Sequence, residues 1–460
     1  MITLRENQGE PIRKAIEFFK SNKPKPSLIV LPTAWGKSIL TAYVAAGVKD
    51  KILVVQPSKE LLEQNYAKYN MLCGGFGEGA GIYSASFGKK EIERVTYATI
   101  GSIKKLGPLF KSLGFTKMLI DEAHLYPRES DSMLGTFLKE SGITHVLGIT
   151  ATPVKLQQNY DIAGNVFSQL VMLTSRSKKG NFFKEILHVG QVDEMVRLGY
   201  WSKLRYHSVK FDDSALIFNS TKSEYTEESV QLSFERNDIK GNILKTIKQI
   251  DRKHILAFVP SVADAKEMAE RTPSAGVVYA EQPKKDRARV IDDFRAGRIR
   301  VLFNVRALSA GFDYTGIDCV MLGISTASIA LYYQIVGRGT RIDSGKDDCL
   351  IVDFGGNVER FGKVEDIRYE QDSKSWKMYG TGGVLLSGIP VHQIGSKTKE
   401  DVQRELKKDE ELMETMPFGK YKEQKISEIP IGYRKWVLDN FEWTAKNMRL
   451  KRSILATIRG

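Results

Sequence analysis

Three short stretches carry residue types that could move a phosphoryl group. LPTAWGKS, Leu31 to Ser38, ends like a phosphate-binding loop. Such a loop reads G-x-x-x-x-G-K-[ST], and counting back from Gly36 puts Leu31 at the first glycine. Its backbone N–H groups and the following helix N-terminus attract phosphate. Lys37 would reach the terminal phosphates, and the Ser38 hydroxyl would sit on Mg²⁺. MLIDEAH, Met118 to His124, is an apolar run ending in two carboxylates. One carboxylate at a strand's end can hold Mg²⁺ while its neighbour orients or deprotonates a water. Asp121 is assigned to the metal and Glu122 to the water. In YYQIVGRGTR, residues 332–341, spacings of four and three put Gln334, Arg338 and Arg341 on one helix face. Each stretch alone also has an ordinary reading: a helix start, an acidic turn, a basic solvated helix. Their coexistence points to phosphate chemistry.

These side chains need a scaffold. SLIVL (27–31), KILVVQ (51–56), RVTYA (94–98), KMLI (117–120) and HVLGIT (145–150) are short and apolar, with helical patterns between several of them. That rhythm predicts a parallel sheet covered by helices. From about residue 155 to 250 the pattern blurs. TSRSKKGN (174–181) reads as a loop, and FDDSALIFNSTKSEYTEES (211–229) fits no element. A second block follows, with strands HILAFV (254–259), AGVVYA (275–280), RVLFN (300–304), DCVMLG (318–323) and CLIVDF (349–354). VADAKEMAE (262–270) and KKDRARVIDDFRAG (284–297) read as its helices. Beyond residue 361, YGTGGVLLSGIP (379–390) reads as loops or short strands, and KTKEDVQRELKKDEELMET (397–415) as a solvated helix or linker. From Met416 onward ten Lys/Arg face four Asp/Glu, a small basic module.

The chain has 460 residues, 42% hydrophobic and 27% charged, enough for two or three soluble domains. Its net charge of +14 suggests a polyanionic partner. No apolar run approaches a membrane span, and the polar start MITLRENQGE lacks a signal-peptide pattern. Cys73, Cys319 and Cys349 are far apart, which argues against a disulfide framework or a zinc site. A cytoplasmic location is expected, the host's if the chain is phage-encoded. No heptad pattern asks for an oligomer, so a monomer is expected.

Over roughly residues 1–365 the motifs resemble those of superfamily 2 helicases and translocases. DEAH (121–124) resembles motif II, and TAWGKS (33–38) resembles motif I, whose first position varies among members. LRENQ (4–8), QPSKELLEQ (56–64), VTYATIGSI (95–103), GITATP (148–153), ILAFVPSVADAKEMAE (255–270), VLFNVRALSAGFD (301–313) and YYQIVGRGTR (332–341) follow in the family's order. The resemblance implies an α/β protein with two tandem RecA-like parallel-sheet motor domains, and ATP and Mg²⁺ in the cleft between them. It implies that Gln8 reads the adenine edge with Arg5 assisting. Thr33, Ala34, Trp35, Gly36, Lys37, Ser38, Gly311 and Asp313 would then hold ATP, and Ser38 and Asp121 the Mg²⁺. Trp35 is unusual in such a loop and has no account beyond packing. His124, Thr150 and Thr152 would couple ATP state to domain closure. Gln334 would face the phosphates with Arg338 and Arg341, the two arginines acting as fingers worth roughly 10³ to 10⁵ in rate. Pro57, Ser58, Lys59, Thr99, Ser102, Ser261, Leu308 and Ser309 would grip a nucleic-acid backbone.

DFGGNVERFG (353–362) resembles RadD-type and phage-encoded DNA helicases, and LGYWSKLRY (198–206) the bridge between motor domains in RecG, UvsW and restriction-motor groups. The cysteine-rich zinc segment common in RadD-type proteins has no counterpart here. Residues 416–441 resemble a small FGKYKG-x-P-x-Y-x-x-W module, with Glu423 in place of its glycine. Its aromatics Phe418, Tyr421, Tyr433 and Trp436 are expected in its own core. Its basic residues, including Lys420, Lys422, Arg434, Lys435, Arg449, Lys451 and Arg452, are candidate DNA contacts. The expected layout is a first motor domain (1–170), a linker and second motor domain (171–365), an irregular or helical connector (366–415) and a small α+β module (416–460). The implied activity is an ATP-driven DNA helicase or branch-migration motor on forked or junction DNA, in replication, recombination or repair, with proteins of those processes as further partners. The alternatives are an RNA helicase, a translocase that separates no strands, and an ATP-gated nucleic-acid binder.

Overall fold

The structure is a computed structural model that describes residues 4–73, 79–126, 132–160, 166–174, 182–220, 223–308, 312, 314–372, 375–391, 394, 413–441 and 448–459. It divides into two compact units, residues 1–395 and 396–460.

The first unit holds two parallel sheets. The first is built from β1 (Ser27–Val30), β2 (Ile52–Gln56), β3 (Ala80–Ser84), β4 (Lys89–Lys90), β5 (Val95–Thr99), β6 (Lys117–Ile120), β7 (His145–Thr150) and β10 (Glu185–Val189). Their spatial order is β10-β1-β7-β6-β2-β5-β3-β4, with every pairing parallel except β3 with β4. β1, β2 and β6 are buried at every position. That explains why they read as unbroken apolar runs rather than alternating ones. The chain leaves β1, crosses to β2, and returns through β6 and β7 to β1's flank. This opens a switch point at the carboxyl ends of β1, β6 and β7, where ligands of open α/β sheets bind.

β8 (Val154–Tyr160) and β9 (Val166–Met172) form a separate antiparallel hairpin directly after β7. This ribbon is one of several ordered parts of the stretch whose pattern blurs in sequence. The first sheet also runs past residue 170, because β10 pairs with β1.

The second sheet contains β11 (Lys203–Ser208), β12 (Ile255–Phe258), β13 (Ala275–Tyr279), β14 (Val301–Val305), β15 (Cys319–Leu322) and β16 (Asp348–Asp353). Its order is β11-β16-β15-β12-β14-β13, parallel throughout. β17 (Arg368–Asp372) and β18 (Ser375–Tyr379) then pair as a hairpin, where an irregular or helical connector was expected. Tyr369 explains the order there: its hydroxyl donates to Ala151 O (3.0 Å), and Gln191 bonds both its backbone groups (2.7 and 3.1 Å). One hydrophobic cluster runs through both sheets, with Trp35, Trp201 and Tyr333 among its fully buried rings. Cys319 and Cys349 are buried free thiols.

The second unit has its own small core of Met416, Ile426, Ile429, Val437, Leu450 and Ile454. Helices Ile431–Asn440 and Met448–Arg459 supply half of it, Val437, Leu450 and Ile454, and one bridge joins Thr415 to Lys425. Glu423 sits at φ +66°, a left-handed turn position, which is why glycine suits that place in the module it resembles.

Candidate active site

The switch point of the first sheet and one end of the second enclose a cavity of about 380 Å³. Arg5, Thr33, Ala34, Gly36, Lys37, Ser38, Asp121 and Glu122 line it from the first block, and Gln334, Arg338 and Arg341 from the second. Eleven residues singled out in sequence therefore meet at one place.

The loop is shaped by what flanks it. Leu31 is fully buried, and its N–H donates to Thr150 O (2.9 Å), extending the β1–β7 ladder by one residue. The position that is glycine in the standard pattern is strand and core here. The chain then turns through Ala34 (φ +56°) and Gly36 (φ +99°). A Cβ on Gly36 would lie 2.8 Å from Gln8 Nε2, so space as well as backbone requires glycine. The helix Lys37–Gly47 starts at once, aiming its first N–H groups at the cavity.

Gln8 differs from its expected role. It is fully buried and does not line the cavity. Its Nε2 donates to Trp35 O (2.8 Å) and its Oε1 accepts from Arg5 N (3.0 Å). It buttresses the loop from behind, because backbone groups there need partners. Trp35 is likewise a core residue, 1% exposed. Arg5 does face the cavity, donating to Ala34 O (3.1 Å) with its guanidinium 4.5 Å above the Tyr200 ring.

Lys37 Nζ donates to Glu122 Oε1 at 2.7 Å, both side chains being largely buried. Glu122 has φ +47°, a strained conformation that turns its carboxylate inward. Burial alone would raise its pKa, but Lys37, His124 and Arg338 hold it below the usual carboxylate range. Asp121 is pushed up, first by burial and then by the charge on Glu122. One carboxylate is thus kept ionised and its neighbour made more basic. Asn65 Nδ2 bonds Asp121 Oδ2 (3.0 Å) and Gln56 Oε1 (2.9 Å), fixing the aspartate's plane. From Glu122 a chain leads away: His124 Nδ1 lies 3.5 Å from Glu122 Oε2 and 2.9 Å from Thr150 Oγ1. Thr150 Oγ1 in turn donates to Thr152 O (3.2 Å) and accepts from Thr152 N (3.1 Å).

From the second block, Arg338 Nη1 (2.6 Å) and Arg341 Nη1 (3.1 Å) both donate to Phe312 O. Gly337 lies against the loop: a Cβ there would be 2.8 Å from Thr33 Oγ1. Trp201 Nε1 donates to Thr33 O (2.9 Å), so the bridge segment touches the loop too. Gly311 and Asp313 lie outside the described residues.

A nucleoside triphosphate with Mg²⁺ fits this donor set. Four cationic side chains, Arg5, Lys37, Arg338 and Arg341, face two carboxylates, leaving positive charge for a phosphate chain. Glu122 Oε2 and Thr33 Oγ1 are buried there and make no hydrogen bond. Among the cavity residues, Asn65, Gln64, Leu61, Tyr200 and Thr315 were not foreseen. Leu61, Gln64 and Gly337 lie inside sequence motifs, and Tyr200 inside the bridge segment; Leu61 and Asn65 depend on which face of the helix Lys59–Cys73 meets the cavity, and Tyr200 and Thr315 on how non-helical segments pack.

The backbone-gripping candidates divide. Lys59 Nζ donates to Ser86 O (2.9 Å) and lies 4.2 Å over the Phe87 ring. Ser102 Oγ bonds Thr99 Oγ1 (2.9 Å) and accepts from Ala85 N (3.0 Å). The two motifs therefore meet at the Ala85–Phe87 turn. Pro57 and Ser58 are partly exposed beside them, with Ser58 Oγ accepting from Leu61 N (3.2 Å). Ser261 caps the helix Val262–Glu270, its ordinary structural role. Leu308 is 4% exposed and its N–H is taken by Asn304 Oδ1 (2.9 Å), so the candidate contact there is core instead. Ser309 lies outside the described residues. In the second unit Lys420, Lys422 and Lys435 are exposed, whereas Arg434 is buried and donates to Thr457 O (2.7 Å). The side chains of Arg449, Lys451 and Arg452 lie outside the described residues. Phe418, Tyr421 and Tyr433 pack on the core as expected, but Trp436 is 56% exposed.

Two parallel sheets closing on one phosphate-type cavity define a tandem RecA-like α/β core. Comparison with known proteins gives the family. Residues 1–155 match the family described as type III restriction enzyme, res subunit, and residues 238–343 match the helicase conserved C-terminal domain. Over both matched segments the chain is similar to helicases of superfamily 2. A Schizosaccharomyces pombe protein named as a mitochondrial ATP-dependent helicase, irc3, is 33% identical over 58% of this chain and 42% of its own length. A 51.5 kDa protein of a Lactococcus phage is 27% identical over 78% of this chain and 71% of its own. The chain spans less than half the length of the first curated relatives it matches. A type ISP restriction-modification enzyme bound to DNA shares the fold, with a TM-score of 0.56 at 16% identity over 77% of this chain and 28% of that one. Among the described residues no helix is long and apolar enough to cross a membrane.

Proposed function

We propose that the chain is an ATP-dependent DNA motor that moves along DNA and unwinds or branch-migrates forked or junction substrates. The observation that carries the reading is the shared cavity. Lys37, Asp121 and Glu122 come from one sheet, Arg338 and Arg341 from the other. A site assembled from two bodies turns hydrolysis into relative motion.

ATP and Mg²⁺ are the cofactors this reading requires. Ser38 and Asp121 would hold the metal, which neutralises charge on the phosphates when bound. Lys37 and the N–H groups after Gly36 bind the phosphate chain. Glu122 takes the proton of the attacking water at its carboxylate, and Gln334 helps orient the reacting groups. Arg338 and Arg341 neutralise developing charge. His124, Thr150 and Thr152 relay the state of Glu122 to the start of β8. Tyr200, held by Arg5, is placed to cover a base.

The +14 charge suits either nucleic acid; DNA is favoured by the resemblance of residues 198–206 and 353–362 to segments of DNA motors and by the fold shared with a restriction enzyme captured on DNA. Pro57, Ser58, Lys59, Thr99 and Ser102 form the proposed contact in the first block, and exposed Lys420 and Lys422 in the second unit. Buried free thiols suit a reducing compartment such as the cytoplasm. The test is ATP hydrolysis at one salt concentration with no nucleic acid, single-stranded DNA, duplex DNA, a four-way DNA junction and single-stranded RNA. Stimulation greatest on branched DNA is expected. Stimulation by RNA alone would overturn the substrate, and no turnover on any of them would overturn the motor.

A further inference from the structure

A ribbon that joins neither large sheet needs a reason, because an isolated hairpin is marginal in water. β8 and β9 are such a ribbon. Its root is firm. Leu173 N donates to Pro153 O (2.7 Å), Gly388 N donates to Leu170 O (2.6 Å), and Gln169 bridges to Pro390. Opposed residues of an antiparallel ladder share a face. On one face the pairs run Val154–Met172, Leu156–Leu170, Gln158–Ser168 and Tyr160–Val166. At the root Val154, Met172 and Leu170 are buried; at the far end Tyr160 is 60% and Val166 38% exposed. Neither strand contains Asp or Glu, and Lys155 lies on the first; Asp161 follows Tyr160 directly in the sequence.

We propose that the β8–β9 ribbon parts nucleic-acid strands, with the Tyr160 ring as the surface on which the last base pair of a duplex stacks. The proposal rests on the motor reading above. β8 begins two residues after Thr152, the end of the chain from Glu122 through His124 and Thr150. A change in the ATP cleft therefore reaches the ribbon's first strand through a close approach of Glu122 to His124 (3.5 Å) and then hydrogen bonds from His124 to Thr150 and on to Thr152. Stacking of one base on an aromatic ring is worth about 5- to 150-fold in affinity, comparable with the stability of one base-pair step. A ring held at the fork can thus offset the opening of a pair.

The experiment uses the full chain with Tyr160→Ala and Tyr160→Trp. It measures strand displacement on a forked DNA duplex and hydrolysis stimulated by single-stranded DNA. Tyr160→Ala is expected to displace strands at least about tenfold more slowly, with stimulated hydrolysis within about twofold of the unsubstituted chain. Tyr160→Trp is expected to restore displacement. Displacement by Tyr160→Ala at the original rate overturns the proposal. Equal loss of displacement and hydrolysis also overturns it, since Tyr160 would then serve the motor and not the fork. An unsubstituted chain that hydrolyses ATP but displaces no strand overturns the ribbon's role and leaves the motor standing. One that hydrolyses nothing overturns both.

Discussion

The two sheets face the same cavity but are held there differently. The first presents three residues in the left-handed region, Ala34, Gly36 and Glu122, with a buried ion pair between Lys37 and Glu122. Its polar groups are tied to neighbours in the same block: Gln8 to Trp35, Asn65 to Asp121, His124 to Thr150. The second presents Gln334, Arg338 and Arg341 near the end of the helix Ile329–Val336, and both arginines rest on the single carbonyl of Phe312. Strain persists where surrounding structure over-determines it. The first side is therefore the one fixed by strain and by bonds within its own block, while the second brings two arginines together at Phe312 O. Under the proposed function, binding and bond cleavage fall to the fixed side and the completion of charge to the other.

The largest effects should come from the fixed side. Lys37→Ala and Glu122→Gln should each reduce steady-state ATP hydrolysis to background; measurable turnover in either would break the assignment. Arg338→Ala should cut kcat by roughly 10³ or more, with DNA affinity by fluorescence anisotropy nearly unchanged. A normal kcat there would mean the second sheet contributes no finger. Asn65→Ala sharpens the comparison. It leaves every charge in place but frees Asp121 to rotate, and it should lower kcat/KM by about tenfold, as positioning losses do, while circular dichroism stays unchanged.

The smallest effect is one of stability. Asp121 has a folded pKa raised above its unfolded value, to about 6. Protons are then bound more tightly in the folded state, so stability falls as pH rises through that window. At pH 8 the folded chain bears the full cost of the buried charge; at pH 4 nearly none. The urea stability of Asp121→Asn minus that of the unsubstituted chain should therefore be larger at pH 8 than at pH 4, on the order of 1–3 kcal/mol. A difference independent of pH would show that Asp121 is not strained electrostatically.

The fold and most of the cavity were legible because both depend on local patterns. Buried parallel strands read as short apolar runs, and the chemistry sits at their carboxyl ends: Lys37 just after β1, Asp121 after β6, Thr150 closing β7. What was not legible depends on distant contacts. Gln8 points inward because Trp35 O and Arg5 N need partners, and nothing adjacent in sequence says so. Asn65 and Tyr200 reach the cavity only because of how a helix and a bridge pack. Leu308 was offered as a grip on a nucleic-acid backbone, but its side chain is buried and its N–H donates to Asn304 Oδ1. β8–β9 and β17–β18 escaped because their order comes from rooting against other segments, as Tyr369 does on Ala151, rather than from strong alternation. Trp436 shows the limit of composition: an aromatic in a small module need not enter its core.

Leu31 also constrains what this lineage can become. Its side chain fills the core and its N–H extends a strand, so a glycine there would empty a buried site. Large-to-small changes of that kind cost about 2–5 kcal/mol, a large share of an ordinary domain's stability. The departure from the common loop pattern is thereby built into the core: a Cβ on Gly190 would lie 3.4 Å from the Leu31 side chain and 3.2 Å from Pro32, so the space beside the loop is already filled.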